Sequence, residues 1–277
     1  MGRALVLGGG GVTGVAWELG LLAGLAGHGL RLDEADLVVG TSAGSVVGAQ
    51  VRSGTPLVEL YEAQLRPPRD EVPARLGTGV LLRWAWAGGR GRDAARARAR
   101  IGAMALSART PSEQSRRAVI AARLPSPDWP AARLLVTAVD AVSGGFVVFG
   151  ADSGVPLVDA VGASCAVPGV WPPVTVAGRR YVDGGVRSPV NADLAAGCDR
   201  VVVLAPTRAA VGPMPRLSAQ VAALREAGAR VAVVSPDRAA RTAIGRNVLD
   251  PARRAASARA GFAQADAVAG EVAEVWR

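Results

Sequence analysis

Two short apolar runs near the start of the chain, RALVLG and DLVVG, each give way to a glycine-bearing turn and then to small and apolar residues at helical spacing. Strand, turn and helix repeated in this way make a βαβα order, which commits the chain to a parallel sheet covered by helices. The first helix is read over GVTGVAWELGLLAGLAGHG and the second over AGSVVGAQVRSG. From Pro56 to about Pro130 the pattern turns helical and arginine-rich, interrupted by PPRDEVP, GTG and AGGRGR, and this reads as an inserted cap. Strand patterns return with ARLLVTAVD, GGFVVFG, PPVTVAG, RRYVDGG and DRVVVLAP. A short helix over SPVNADLAAG, a helix over LSAQVAALREAG, a strand over ARVAVVSP and a long helix from about Pro251 complete the order. One α/β domain over residues 1–277 is expected, with a helical cap insertion at about 56–130, since 277 residues lie within the range that single α/β units fill.

Composition narrows the function classes. Half the residues are hydrophobic, yet the apolar runs break after a few residues, far short of the roughly 20 that span a bilayer. The stretch MGRALVLGGGG is too short in its apolar part for a signal peptide, and Val6 stands where a myristoylation signal wants Ser or Thr. A cytoplasmic location is expected. Cys165 and Cys198 lie in small-residue contexts and are expected as buried free thiols. Net charge is +9 and all 32 basic residues are arginine, but they are scattered and no aromatic-studded basic module accompanies them, which argues against nucleic acid as a partner. An anionic membrane surface remains a candidate peripheral partner.

Three loops could carry chemistry. The first, GGGGVTG at residues 8–14, lies between strand and helix, where backbone amides at a helix N-terminus favour an anion. As Gly9-x-Gly11-x-x-Gly14 it fits a dinucleotide fingerprint, but no acid ends the second strand, so that reading is disfavoured. An oxyanion of acyl transfer, or a glycine turn needed only for packing, are the remaining readings. The second loop, Gly40-Thr41-Ser42-Ala43-Gly44, has the strand-to-helix context that lifts a serine hydroxyl above the C-terminal edge of a sheet. The third, Asp183-Gly184-Gly185, follows a strand and is equally an ordinary turn signal when taken alone.

Together these segments resemble the patatin-like phospholipase family over most of the chain. Gly9, Gly10, Gly11, Val12, Thr13 and Gly14 look like its glycine-rich oxyanion loop, Gly40 to Gly44 like its nucleophile elbow, and Asp183-Gly184-Gly185 like its Asp-Gly-Gly motif. TAVDAVSGGFVVF at 137–149 and ASCAVPGVWPPV at 163–174 are similar to further segments in the same order. The resemblance implies a three-layer α/β/α fold with a mainly parallel sheet, and a Ser42–Asp183 dyad that hydrolyses lipid acyl esters with no metal or organic cofactor. Thr13 departs from the Arg or Lys common at that place in the family.

The implied dyad answers a difficulty posed by composition. His28 is the only histidine, and it lies in the loop after the first helix, at the opposite end of the sheet from Ser42. With no lysine either, carboxylates are left as proton acceptors. The expected course is attack by Ser42 on the ester carbonyl, with amides of Gly10, Gly11 and Val12 facing the oxyanion and Asp183 moving the proton. A relative that binds an acyl chain or anionic lipid without turnover is the alternative. Trp17 and Glu18 are read as helix packing with a surface or capping contact, and Asp140 and Asp159 as structural. Leu81, Leu82, Trp84 and Trp86 among arginines read either as an interfacial lipid-binding helix or as a cap packed on its own domain.

Overall fold

The computed structural model describes residues 2–67, 74, 75, 77–88, 93–207 and 214–277. Its centre is an eight-stranded sheet formed by β1 (Arg3–Leu7), β2 (Leu37–Gly40), β3 (Leu134–Asp140), β4 (Phe146–Phe149), β5 (Val174–Val176), β6 (Arg179–Asp183), β7 (Arg200–Leu204) and β8 (Arg230–Val234). The run β3-β2-β1-β7-β8 is parallel throughout. The antiparallel part gathers around β3, which pairs with β4 and β6, and β6 in turn pairs with β5.

The register along β3 decides where the strand ends fall. Val136 pairs with both Gly40 and Phe149, so β2 and β4 occupy opposite edges of β3. Ala138 pairs with both Val147 and Asp183, so β6 also lies opposite β4. The edge facing β2 is therefore shared: β2 takes its first half and β6 its second, running in opposite directions, and their C-terminal ends meet near Thr137.

Helices cover both faces. Leu5, Leu7, Val38, Val202 and Leu204 point to one side, where they pack with α1 (Gly11–Gly27), α2 (Ala43–Val51), α7 (Leu157–Ser164) and α10 (Arg254–Trp276). Ala4, Val6, Val39, Val201 and Val203 point to the other, against α8 (Leu217–Glu226) and a 3-10 turn at Ala192–Ala195. This strict alternation is the period-two pattern of strands buried on both sides. Helix α1 is buried along nearly its whole length because it is sandwiched between the sheet and α10. The close crossing needs small residues: a Cβ at Gly20 would strike the Ala258 carbonyl, and one at Gly261 the Trp17 carbonyl.

The helical insertion comprises α3 (Leu57–Leu65), α4 (Thr78–Gly88), α5 (Ala94–Leu106) and α6 (Glu113–Arg123). Helix α3 packs on α1 and α10, and α6 packs on α7. Only α4 and α5 sit by the C-terminal strand ends, where α5 rests on β3 and β6 through Ala97, Ile101 and Ala105. The last short helix, α9 (Arg238–Ile244), leads into the segment 245–250, which returns to the glycine loop. Most of PPRDEVP and AGGRGR, and the side chain of Leu81, lie outside the described residues.

Candidate active site

Ser42 stands between β2 and α2 with φ 52° and ψ −116°, a left-handed conformation that a non-glycine residue adopts at a cost of about 1–3 kcal/mol. The glycines on either side make so tight a turn possible. A Cβ at Gly40 would reach within 2.5 Å of the Ser45 Cα, and one at Gly44 would run into the Leu7 carbonyl. The Gly44 N–H donates to the Gly8 carbonyl at 3.0 Å, which ties the elbow to the end of β1. The Ser42 N–H donates to the Ser164 Oγ at 2.9 Å, and the Ser42 carbonyl accepts from the Ser45 hydroxyl at 2.7 Å. Thr41 and Ala43 are buried beside it.

Asp183 ends β6 and is 4% exposed. Its Oδ1 accepts from the Gly185 N–H at 2.7 Å, and the Ser42 hydroxyl is close enough to the same carboxyl group to favour its charged form. Burial pushes the Asp183 carboxyl up to about 7, because the charged form loses water faster than the Ser42 hydroxyl and Gly185 amide replace it. Gly184 has no room for a side chain, since a Cβ there would meet the Thr137 hydroxyl and carbonyl. A Cβ at Gly185 would come within 2.9 Å of the Asp183 carboxylate.

The glycine loop lies on the other side of Ser42, and a Cβ at Gly9 would stand 3.5 Å from that of Ser42. Its amides divide into two sets. Gly8 donates to the Leu204 carbonyl at 2.9 Å, Gly9 to Pro189 at 2.7 Å, Thr13 to Val248 at 3.1 Å and Gly14 to Gly10 at 2.8 Å. The Gly9 N–H is thereby engaged. The N–H groups of Gly10, Gly11 and Val12 have no such acceptor among the described residues, as expected for the first turn of a helix. Gly11 has φ 61°, and a Cβ there would come within 2.5 Å of the Val248 carbonyl. Thr13 anchors the loop through the same carbonyl, with its Oγ1 at 3.2 Å.

Ser42, Asp183 and Gly9 to Gly11 line one cavity of about 380 Å³, walled by Trp84, Ile101, Val186 and Leu249. Val12 turns its side chain to a second cavity of about 340 Å³ that it shares with Val46 and Gln50, apart from Ser42.

Several supporting residues were not singled out from the sequence. The Asn191 side chain, on a backbone with φ 54°, donates to Thr41 Oγ1 at 3.0 Å and to the Ser188 carbonyl at 2.8 Å. The Thr137 hydroxyl donates to the same Thr41 Oγ1 at 3.0 Å. This buried polar knot joins the elbow, β3 and the chain after Asp183. Its only sequence signal is a polar residue inside an apolar run, as in LLVTAVD and PVNADL.

Other sequence expectations fall elsewhere. His28 pairs with Asp266 at 2.8 Å on the surface, at the far end of a helix whose 17 residues span about 25 Å. Asp159 holds Arg117 at 2.7 Å, and Asp140 accepts from the Val142 and Ser143 amides at 3.0 and 2.8 Å. Cys165 is buried and its thiol is pushed up to about 11 by burial and by the Asp183 charge, whereas Cys198 is half-buried. Trp17 packs as expected and donates to Gln264 at 2.9 Å. Glu18 makes no surface or capping contact: it is fully buried, and neither carboxyl oxygen has a hydrogen-bond partner among the described residues. Burial raises its pKa well above the ordinary value.

A family model described as patatin-like phospholipase matches residues 5–196. Among solved structures, VipD from Legionella pneumophila aligns with a TM-score of 0.50 at 14% identity, over 98% of this chain and 67% of VipD. The type III effector protein ExoU aligns with a TM-score of 0.43 at 17% identity, over 98% of this chain and 53% of ExoU. At such identity the likeness to VipD concerns the fold alone. No curated protein sequence matches the chain significantly.

Proposed function

Because the chain belongs to the patatin-like phospholipase family, we propose that it cleaves lipid carboxyl esters through Ser42, Asp183 and a covalent acyl-enzyme. The observation that carries this reading is the buried Asp183 carboxyl, held against a serine in a strained elbow and pushed up to about 7. A carboxylate with an ordinary pKa near 4 is a weak base toward a hydroxyl, and the shift brings its basicity to the working range of a general base.

The Ser42 oxygen attacks the ester carbonyl carbon while its proton passes to the Asp183 carboxylate. Negative charge gathers on the carbonyl oxygen, where the amides of Gly10, Gly11 and Val12 and the N-terminus of α1 favour it. Collapse expels the alcohol, which takes the proton from Asp183 and leaves the acyl group on Ser42. Water then attacks the acyl carbon, gives its proton to Asp183, and Ser42 departs with that proton restored. The apolar walls at Trp84, Ile101 and Leu249 suit an acyl chain. We read α4 and α5 as the cap of this one catalytic domain and a cytoplasmic setting as its place of action. Among the described residues no helix is long and apolar enough to cross a membrane.

A fluorophosphonate probe should label the protein, and Ser42→Ala should abolish labelling together with the hydrolysis of chromogenic esters. Labelling that persists in Ser42→Ala would remove Ser42 from the mechanism, and an unlabelled wild type would favour an acyl-binding relative without turnover.

A further inference from the structure

Arg246 lies on the lining of the cavity that holds Ser42, and it is the one cation there among the described residues. The nearby arginines of the same region are engaged. Arg241 donates to the Pro236 carbonyl at 2.8 Å, Arg253 to the carbonyls of Thr242 and Ala243, and Arg254 to Gln64 at 3.2 Å. No described carboxylate pairs with Arg246, and its side chain is exposed at the rim.

The backbone that carries it is fixed against the glycine loop. Gly245, with φ 71°, ends α9 and turns the chain, Asn247 donates to the Ala74 carbonyl at 2.9 Å, and the Val248 carbonyl receives both the amide and the hydroxyl of Thr13. The backbone that carries Arg246 is thus held at a set place next to the glycine loop, on the lining of the same cavity. Apart from Ser42, Asp183, Thr207 and the loop amides the walls are apolar, so an anionic group other than the carbonyl oxygen is best placed at the wet rim beside Arg246, while a hydrocarbon chain takes the interior.

We infer that Arg246 forms a subsite for the phosphate of an acyl ester whose alcohol portion is phosphorylated. It selects such esters over neutral glycerides by contacting the phosphate, without taking part in bond making. This deepens the proposed ester hydrolysis, since it names the class of alcohol that leaves. Arg246 lies beyond residues 5–196 of the family match.

The test uses binding, so that it stands apart from turnover. 1-O-Decylglycerol and 1-O-decylglycerol 3-phosphate are ethers, inert to hydrolysis, and differ only in the phosphate. Their dissociation constants are measured by calorimetry below the micellar range on wild type, Arg246→Gln and Arg238→Gln, the last removing an exposed charge at the start of α9 as a control for the overall field. Wild type should bind the phosphate ether about tenfold more tightly than the neutral one, as a charge-assisted contact implies. Arg246→Gln should lose that advantage with the neutral ether unchanged, and Arg238→Gln should keep it. Inorganic phosphate should bind more weakly than the phosphate ether. A preference that survives Arg246→Gln, or falls equally in both variants, overturns the subsite, and inorganic phosphate binding as tightly as the ether overturns the assignment to a lipid headgroup. Failure of the hydrolase reading would show instead in the fluorophosphonate labelling.

Discussion

Gly40 and Asp183 lie on the same edge of β3, opposite Val136 and Ala138, so that β2 and β6 end facing one another with Thr137 between them. The nucleophile candidate follows one of these ends within two residues, and the carboxylate candidate is the other end itself. Their approach is therefore set by backbone pairing to a single strand, which holds position far better than two independent loops would.

The elbow stores strain that a glycine would release. Ser42→Gly should be more stable than Ser42→Ala by about 1 kcal/mol, with both variants inactive. Denaturant unfolding of the two proteins checks this, and equal midpoints would mean that the φ of 52° carries no strain.

The Asp183 carboxyl should govern the acidic limb of activity. Turnover should fall as pH drops through about 7, because the base becomes protonated. The limb should be unchanged in His28→Gln, whose ring sits with Asp266, while Asp183→Asn should lose on the order of a thousandfold or more in kcat. Stability follows the same shift. With a folded pKa above the unfolded value near 4, the group's stabilising contribution is complete below about 4 and is lost as pH rises through about 7. Asp183→Asn should therefore gain stability relative to wild type between pH 4 and pH 8. A limb that moves in His28→Gln would break the dyad.

Glu18 should weaken the fold at neutral pH by the same sign. Its folded pKa is raised by burial, so its contribution is present in acid and declines once pH passes the unfolded value near 4.3. Glu18→Gln should raise Tm at pH 7.5 and bring little change at pH 3.5. A Tm lowered at pH 7.5 would instead point to a partner that holds the carboxylate in the folded state.

Two tryptophans of α4 should separate. Trp84 donates to the Pro168 carbonyl at 3.2 Å and lines the cavity, whereas Trp86 is 63% exposed. Trp84→Ala should lower kcat/KM for long-chain esters, and Trp86→Ala should weaken binding to acidic vesicles while leaving soluble short-chain esters untouched. Trp86→Ala without effect on vesicle binding would leave α4 as a packed cap alone.

The sequence carried the parallel core and the two glycine turns, because a buried strand reads as an apolar run and a strand-to-helix elbow demands glycine at Gly40 and Gly44. It did not carry the sharing of one edge of β3 by β2 and β6. Strand direction depends on how the intervening chain crosses over, and RRYVD reads alike whether parallel or antiparallel. Helix α7 escaped notice because LVDAVGAS is short and half small residues. Ser164, Asn191 and Arg246 were illegible for a common reason: each acts on a partner or a cavity distant in sequence, and nothing local marks a serine as the acceptor of the Ser42 amide. Glu18 was misplaced because one acid in an apolar helix normally marks its wet side, and α1 has none.

β7 pairs with β1 along its whole length, on the side away from β2, yet it starts at Arg200, after the matched stretch 5–196 has ended. A fragment excised at that limit would contain both Ser42 and Asp183 and would still have lost the Leu204 carbonyl that holds Gly8 and the Val248 carbonyl that holds Thr13. It would also present β1 as a bare strand edge, open to pairing with other copies. What is recognisable as a pattern is thus shorter than what must be expressed as a protein, and vector boundaries drawn from the pattern would keep Ser42 and Asp183 while losing the strand that covers β1.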